Sequence, residues 1–193
     1  SITVTDKGTV IAAYRDRSEG EIRDISIVRL EENIWQEPFN LYDDGWELSG
    51  CPVNGPAISS IDKLVAVAWF TGAKGISAVK IAFSDDDGKS FATPFIIKNK
   101  DPIGRVDLEM LPDGDALVSW VEWIDGNEII NICRASQEHG CKAREQLVFN
   151  ASNASLNFPQ LERVNEDIYL VWTQPDENGD NLSMLRLSPK LID

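Results

Sequence analysis

The chain has 193 residues, 42% of them hydrophobic and 26% charged, the balance of an ordinary folded domain long enough to bury a core. Acidic residues outnumber basic ones by 32 to 18, and the resulting net charge of −14 disfavours nucleic-acid and anionic-membrane partners, which call for a basic surface. No stretch approaches the roughly 20 consecutive apolar residues that a membrane-spanning helix needs, so membrane insertion is not expected.

The text opens in mid-pattern with "SITVTDKGTVIAAY" and on Ser1, with no start residue or signal peptide in view, which reads as a processed or truncated chain. The first buried-looking run, "TVIAAYRDR" (9–17), ends in Tyr14 and passes into "YRDRSEGEIRD" (14–24). That segment packs Arg15, Arg17 and Arg23 into a chain short of positive charge. Arginine grips a carboxylate through paired N–H groups, so these residues suit an acidic ligand. The alternative is surface ion pairing with Asp16, Glu19, Glu21 and Asp24. Next comes "YDDGWELSGCPVNG" (42–55), where Tyr42 and Trp46 lie among Asp44, Glu47 and Asn54. An aromatic ring flanked by fixed polar groups can hold a sugar; equally, Trp46 can be a loop anchor tucked under the fold.

One unit can be divided strand by strand: "GPAISSI" (55–61), "KLVAVAWF" (63–70), "SAVKIAFS" (77–84) and "PFIIKN" (94–99). The turn between the last two is "SDDDGKSF" (84–91). Adjacent carboxylates can bind calcium, but the spaced ligands and distant bidentate Glu of a calcium loop are absent, and a structural turn is the stronger reading. Further along, "KDPIGR" (100–105) brings Arg105 to the start of a strand, and "ALVSWVEW" (116–123) carries Glu122 at its end. Cys133 and Cys141 flank "RASQEHG", a hairpin tip that could bring the sulfurs together in an oxidising compartment or leave two reduced thiols. His139, the single histidine, falls in that tip and reads as a surface residue; with no CxxC pair, zinc has no support. The last unit holds "NASLNF" (153–158), "IYLVWTQP" (168–175) and "NLSMLRLSP" (181–189), after which too few residues follow for an outer strand. Sequons at Asn150, Asn153 and Asn181 are common enough by chance to carry no weight.

The aromatic residues that close the four apolar runs, Tyr14, Trp69, Trp120 and Trp172, are 55, 51 and 52 residues apart. A repeat near fifty residues, built from short apolar strands with Gly and Asp turns, predicts an all-β fold of the β-propeller type with four-stranded antiparallel blades. The units are about 1–50, 51–100, 101–155 and 156–193, within a single domain. Loops after each second strand and before each first strand should gather around the axis at one end.

Ser84-x-Asp86-x-Gly88-x-x-Phe91 resembles the Asp box of the bacterial neuraminidase repeat found in sialidases and related propellers. Trp35 and Pro38 repeat the spacing of Phe91 and Pro94 as a degraded copy. The resemblance implies that this turn is a fold staple on the end opposite the binding face. Because sialidase propellers have six blades, it also implies a fragment or a divergent relative, with a missing segment or a second chain closing the ring. Sialidases further resemble the chain in "RDRSEGEIRDISIVR" (15–29), which implies Asp24, with Asp16 second, as the acid/base carboxylate. Family chemistry adds a tyrosine nucleophile activated by a glutamate, an exception among glycosidases. Tyr42 and Glu47 are the candidates in a face loop. Substrate binding would fall to Arg15, Arg17, Trp46, Asn54, Arg105 and Glu122. The expected partner is an acidic or other glycan, with no metal or cofactor, in a secreted or cell-envelope setting. The alternative is a non-catalytic propeller that serves as a binding platform for protein or glycan.

Overall fold

The computed structural model describes residues 1–97, 100–147, 158–176 and 179–188; the side chains of 142–144, 174–176 and 180 are not described. The chain forms four antiparallel sheets in sequence order. The first contains β1 (Ile2–Val4), β2 (Val10–Arg15), β3 (Ile25–Glu31), β4 (Ile34–Trp35) and β5 (Phe39–Tyr42). Its fourth-strand position is split, since β4 and β5 both pair with β3, one at each end. The second contains β6 (Ala57–Ile61), β7 (Leu64–Thr71), β8 (Ala78–Ser84) and β9 (Phe95–Ile97). The third contains β10 (Pro102–Met110), β11 (Ala116–Ile124), β12 (Asn127–Ser136) and β13 (Gly140–Leu147), and the fourth β14 (Gln160–Val164), β15 (Asp167–Asp176) and β16 (Gly179–Leu187).

Each sheet is a propeller blade whose first strand lies innermost. β6 touches β1 and β10, and β10 in turn touches β14, so the inner strands succeed one another around a common axis. Tyr14, Trp69, Trp120 and Trp172 all lie on second strands, where the sequence repeat places them.

Three apolar layers hold the blades together. Ile11, Ala13, Ile25 and Ile27 of blade 1 meet Ile58, Val65, Val67 and Trp69 of blade 2. The other face of blade 2, with Ala66, Ala68 and Ile81, meets Val118 and Trp120 of blade 3. Leu117, Val121 and Ile130 then meet Leu161, Leu170 and Trp172 of blade 4. Because each middle blade is covered on both faces, β7 and β11 read as continuous apolar runs rather than alternating ones. Burying one such large side chain stabilises the fold by about 1.5–3 kcal/mol.

Cys133 and Cys141 are joined across the β12–β13 hairpin, with Cα atoms 5.9 Å apart. His139 is exposed at its tip. Among the described residues no helix is long and apolar enough to cross a membrane.

Candidate functional site

At one end of the molecule, the segments after β2, β5 and β7 and the start of β10 come together. Arg15 ends β2 and is the hub. Its Nε donates to the Asn54 carbonyl at 2.8 Å, Nη1 to Arg23 at 2.5 Å and Nη2 to Phe70 at 2.6 Å. Three of its five N–H donors are thus engaged by backbone oxygens from two blades. The guanidinium also lies over the Trp46 ring, 4.7 Å from its centroid, a cation–π contact. Burial lowers the Arg15 pKa to about 10, against the opposing pull of Asp44 and Asp24. It remains cationic at neutral pH.

The Trp46 ring meets Phe70 edge-on at 5.6 Å and presses on Gly72, where an added Cβ would sit 3.0 Å from Nε1. The ring is therefore sandwiched between two blades and acts as the anchor of its loop. Asp24, 8% exposed, holds the same loop from below: Oδ2 accepts the Gly45 N–H at 2.9 Å and Oδ1 the Trp46 N–H at 3.1 Å. A bridge between Ile22 and Glu47 and the bond from Leu48 N to Glu21 O complete the attachment. Glu47 itself is exposed.

Asn54 ties blade 2 to blade 3. Its Nδ2 donates to Ile103 O and its Oδ1 accepts from Arg105 N, both at 2.9 Å. This clasp closes over Gly104, where an added Cβ would lie 2.5 Å from the Asn54 amide, and φ is +94°, so only glycine fits. Arg105 follows with φ +53°, turns out of the strand at a register shift, and pairs with Glu128 of β12. Its guanidinium carbon is 5.9 Å from the centroid of Phe158, which is 48% exposed.

The other sequence candidates lie around this hub. Asp16 is exposed and accepts from Arg17 N at 2.7 Å and Ser26 Oγ at 3.1 Å. Arg17 is exposed and pairs with Glu21 four residues on. Tyr42, 38% exposed, has the Lys80 ammonium 4.4 Å from its ring centroid. Glu122 is fully buried, accepting the Trp120 indole N–H at 2.7 Å and Lys100 N at 3.4 Å. The structure therefore brings together Arg15, Trp46, Asn54 and Asp24, and runs on to Arg105 through Asn54. Arg17, Asp16 and Glu47 stand at the rim, and Glu122 lies under the blade 2–blade 3 seam. Of the loop at 153–158, only Phe158 is within the described residues.

Sequence reasoning missed Lys80 as a group of this site. It reaches from β8 of blade 2 to Asp44 of blade 1, whose carboxylate also accepts the Trp69 indole N–H at 2.7 Å. The available signal was a lysine interrupting the apolar run "SAVKIAFS". Glu128 was missed as well: it opens the run "EIINIC" beside the Asp125–Gly126 turn, a position that reads as solvated.

At the opposite end, the β8–β9 turn is a closed set of short bonds. Asp86 Oδ1 accepts from Lys89 N and Ser90 N at 3.0 Å and from Ser84 Oγ at 2.8 Å; Oδ2 accepts from Ser90 Oγ at 2.7 Å. Burial pushes this carboxyl up, but the bonds from Ser90, Ser84 and Lys89 outweigh it and bring the pKa to about 2. Gly88, at φ +70°, passes so close to Ile11 Cδ1 that a Cβ would sit 2.7 Å away.

No protein-family model matches the chain, and no curated protein matches it in sequence. Solved structures do match in fold. A Hadza microbial sialidase superposes with a TM-score of 0.64 at 18% identity, over 97% of this chain and 43% of that one. The intramolecular trans-sialidase from Ruminococcus gnavus, in complex with oseltamivir carboxylate, gives 0.65 at 13% identity, over 96% and 41%. GH43B of the Bacteroides ovatus xyloglucan PUL gives 0.59 at 14% identity, over 98% and 38%. The fold is thus that of the glycoside hydrolase propellers, sialidases among them. The chain spans about two fifths of the length of these structures.

Proposed function

We propose that the end carrying Arg15, Trp46, Asn54 and Arg105 is the glycan-contacting face of a sialidase-like propeller, and that the turn at 84–91 is an Asp box on its far side. The observation that carries this reading is the continuous link from Arg15 through Asn54 to Arg105, which crosses the inner ends of three blades. It sets two guanidiniums beside two aromatic rings on one face. The forks of Arg15 and Arg105 are already taken up by backbone carbonyls and by Glu128, so what they offer an acidic sugar is positive charge beside the rings rather than a paired grip. Within that face Arg15, Trp46 and Asn54 build the floor, while Arg17, Asp16, Glu47 and Tyr42 supply accessible groups at the rim. The Cys133–Cys141 bond supports a secreted or cell-envelope location, where disulfides persist.

A binding platform without hydrolysis is the second reading. It is favoured by the two backbone N–H groups already held by Asp24 and by the ammonium lying over Tyr42. In a hydrolytic site Asp16 is then the freer carboxylate of the pair. The test is a fluorogenic sialoside assay on the full-length protein, run beside a glycan array. Turnover that falls at least about tenfold in Arg17→Ala supports the hydrolytic reading. Array binding without turnover supports the platform. No turnover and no glycan binding by wild type sinks both.

A further inference from the structure

A blade turns the edge of its outermost strand to solvent, and a row of unpaired N–H and C=O groups there invites another strand. Three of the four blades blunt that edge. In blade 1 the outer position is divided between β4, of two residues, and β5, of four, with a register shift beside β5. Blade 2 ends in β9, three residues long. In blade 3, β13 carries Lys142, Arg144 and Glu145 and meets β12 through a register shift. Blade 4 has none of these devices. Among the described residues its edge is β16, nine residues in unbroken register with β15 and with no partner strand on the other side. The middle of β16, "NLSML" (181–185), holds neither charge nor proline.

The side chains of β16 carry a second signal. Leu185 and Leu187 pack towards the blade 3–blade 4 core, so by strand alternation Leu182, Met184 and Arg186 share the opposite face. Leu182 is 78% exposed and Met184 64%. Outward-pointing backbone groups recur at every second residue of an edge, so an added antiparallel strand has to match residues of like parity. A second copy of β16 centred on Ser183 does so along all nine residues. It sets Leu182 against Met184 and Asp180 against Arg186, each pair occurring twice by symmetry. Only Nη2 of Arg186 is engaged, by Asp167, which leaves donors for a second carboxylate. Centring on Leu182 or Met184 instead shortens the overlap and sets a charged position against an apolar one. The strand is thus complementary to itself in one register.

We propose that two copies of the chain dimerise through their fourth blades, by antiparallel β16–β16 pairing about a two-fold axis at Ser183. Paired strands run in opposite directions, so the Arg15 ends of the two copies face opposite ways. Two-fold closure stops the assembly at a dimer. The test is sedimentation velocity on the full-length protein over a wide range of concentration, with Cys51→Ser throughout so that the exposed free thiol cannot link copies. A concentration-dependent monomer–dimer equilibrium is expected, with hydrogen–deuterium exchange at 180–186 slowing as the dimer fraction rises. Met184→Lys, at an exposed position, should weaken the dimer about tenfold, since both symmetry-related apolar pairs are lost. Asp180→Arg and Arg186→Asp should each weaken it by a similar factor, and the two changes in one chain should restore it towards wild type. This charge exchange reports on register even where Met184→Lys disturbs folding. The proposal is overturned by a monomer at every concentration, as when a strand of this chain or of another protein occupies the edge, and equally by larger assemblies. A dimer that keeps its affinity in all three single variants also overturns it, as does a doubly exchanged variant no tighter than the single ones.

Discussion

Asp86 and Asp24 perform the same task at opposite ends of the molecule: each holds a loop by accepting backbone N–H groups on a carboxylate. The donors to Asp86 all come from within four residues, so the turn is self-contained. The donors to Asp24 lie 21 and 22 residues on, beyond three further strands. A short-range clamp closes at little entropic cost, whereas a long-range one forms only after the chain between its ends is ordered. The difference separates a feature that stabilises one hairpin from one that shapes the face of a blade.

The largest effect in this comparison is expected from Asp86→Ala. It strips the acceptor from two backbone N–H groups and two hydroxyls at once, and partial access of water softens the loss to about 3 kcal/mol. Guanidinium unfolding measures it. A loss below about 1 kcal/mol would mean that the turn holds without its carboxylate.

A third carboxylate sharpens the contrast by its opposite sign. Asp107 on β10 accepts Leu161 N at 2.7 Å, joining the inner strands of blades 3 and 4, and also accepts Leu108 N at 3.0 Å. Burial raises its pKa to about 6 despite these bonds, and the charge of Glu162 adds to the rise. A raised folded-state pKa means that the fold binds the proton more tightly than the unfolded chain does. The contribution is therefore fully favourable below about pH 4 and is lost as pH rises to about 6. Asp86, with its depressed pKa, contributes stability above about pH 4 and loses it as pH falls towards 2. Between pH 4 and 7 the wild-type stability curve should fall relative to that of Asp107→Asn by about 2–3 kcal/mol, read by urea unfolding at each pH. Parallel curves would refute the assignment, since Glu109, raised in the same direction, is common to both proteins.

The local features were legible and the distant ones were not, for one physical reason. The four apolar runs, the turn at 84–91 and the hairpin that joins Cys133 to Cys141 each involve residues a few positions apart, and their chemistry is fixed by that spacing. Division of one unit into four strands falls on β6 to β9 for the same reason. Arg15 is different. In "AAYRDR" it looks like one of several surface arginines, yet its partners Asn54 and Phe70 are 39 and 55 residues away. Only blade-to-blade register puts those carbonyls in front of it. Lys80 and Asp44, 36 residues apart, meet by the same register. Asp24 sits in a charged stretch that reads as solvated, and its burial comes from the loop that folds over it. Residue type told which groups could serve a glycan site; it could not separate those that build the floor from those that face solvent.

Asp24 offers the sharpest division between the two roles at a smaller energetic cost. Asp24→Ala should lower stability by about 1–2 kcal/mol, because Gly45 and Trp46 lose their acceptor near a surface that water can reach. Hydrogen–deuterium exchange should rise at 43–48 while 84–91 stays protected. Asp24→Asn keeps one acceptor oxygen and should restore roughly half of that protection. If the protein turns over a sialoside and Asp24 acts as a clamp, activity in Asp24→Asn should stay within a few-fold of wild type and track the loop's protection. If Asp24 instead delivers the proton, Asn cannot replace it, and activity should collapse by about 10²-fold or more with the loop still in place. Loop protection and turnover measured on the same two variants therefore decide whether the distant clamp is scaffolding or chemistry.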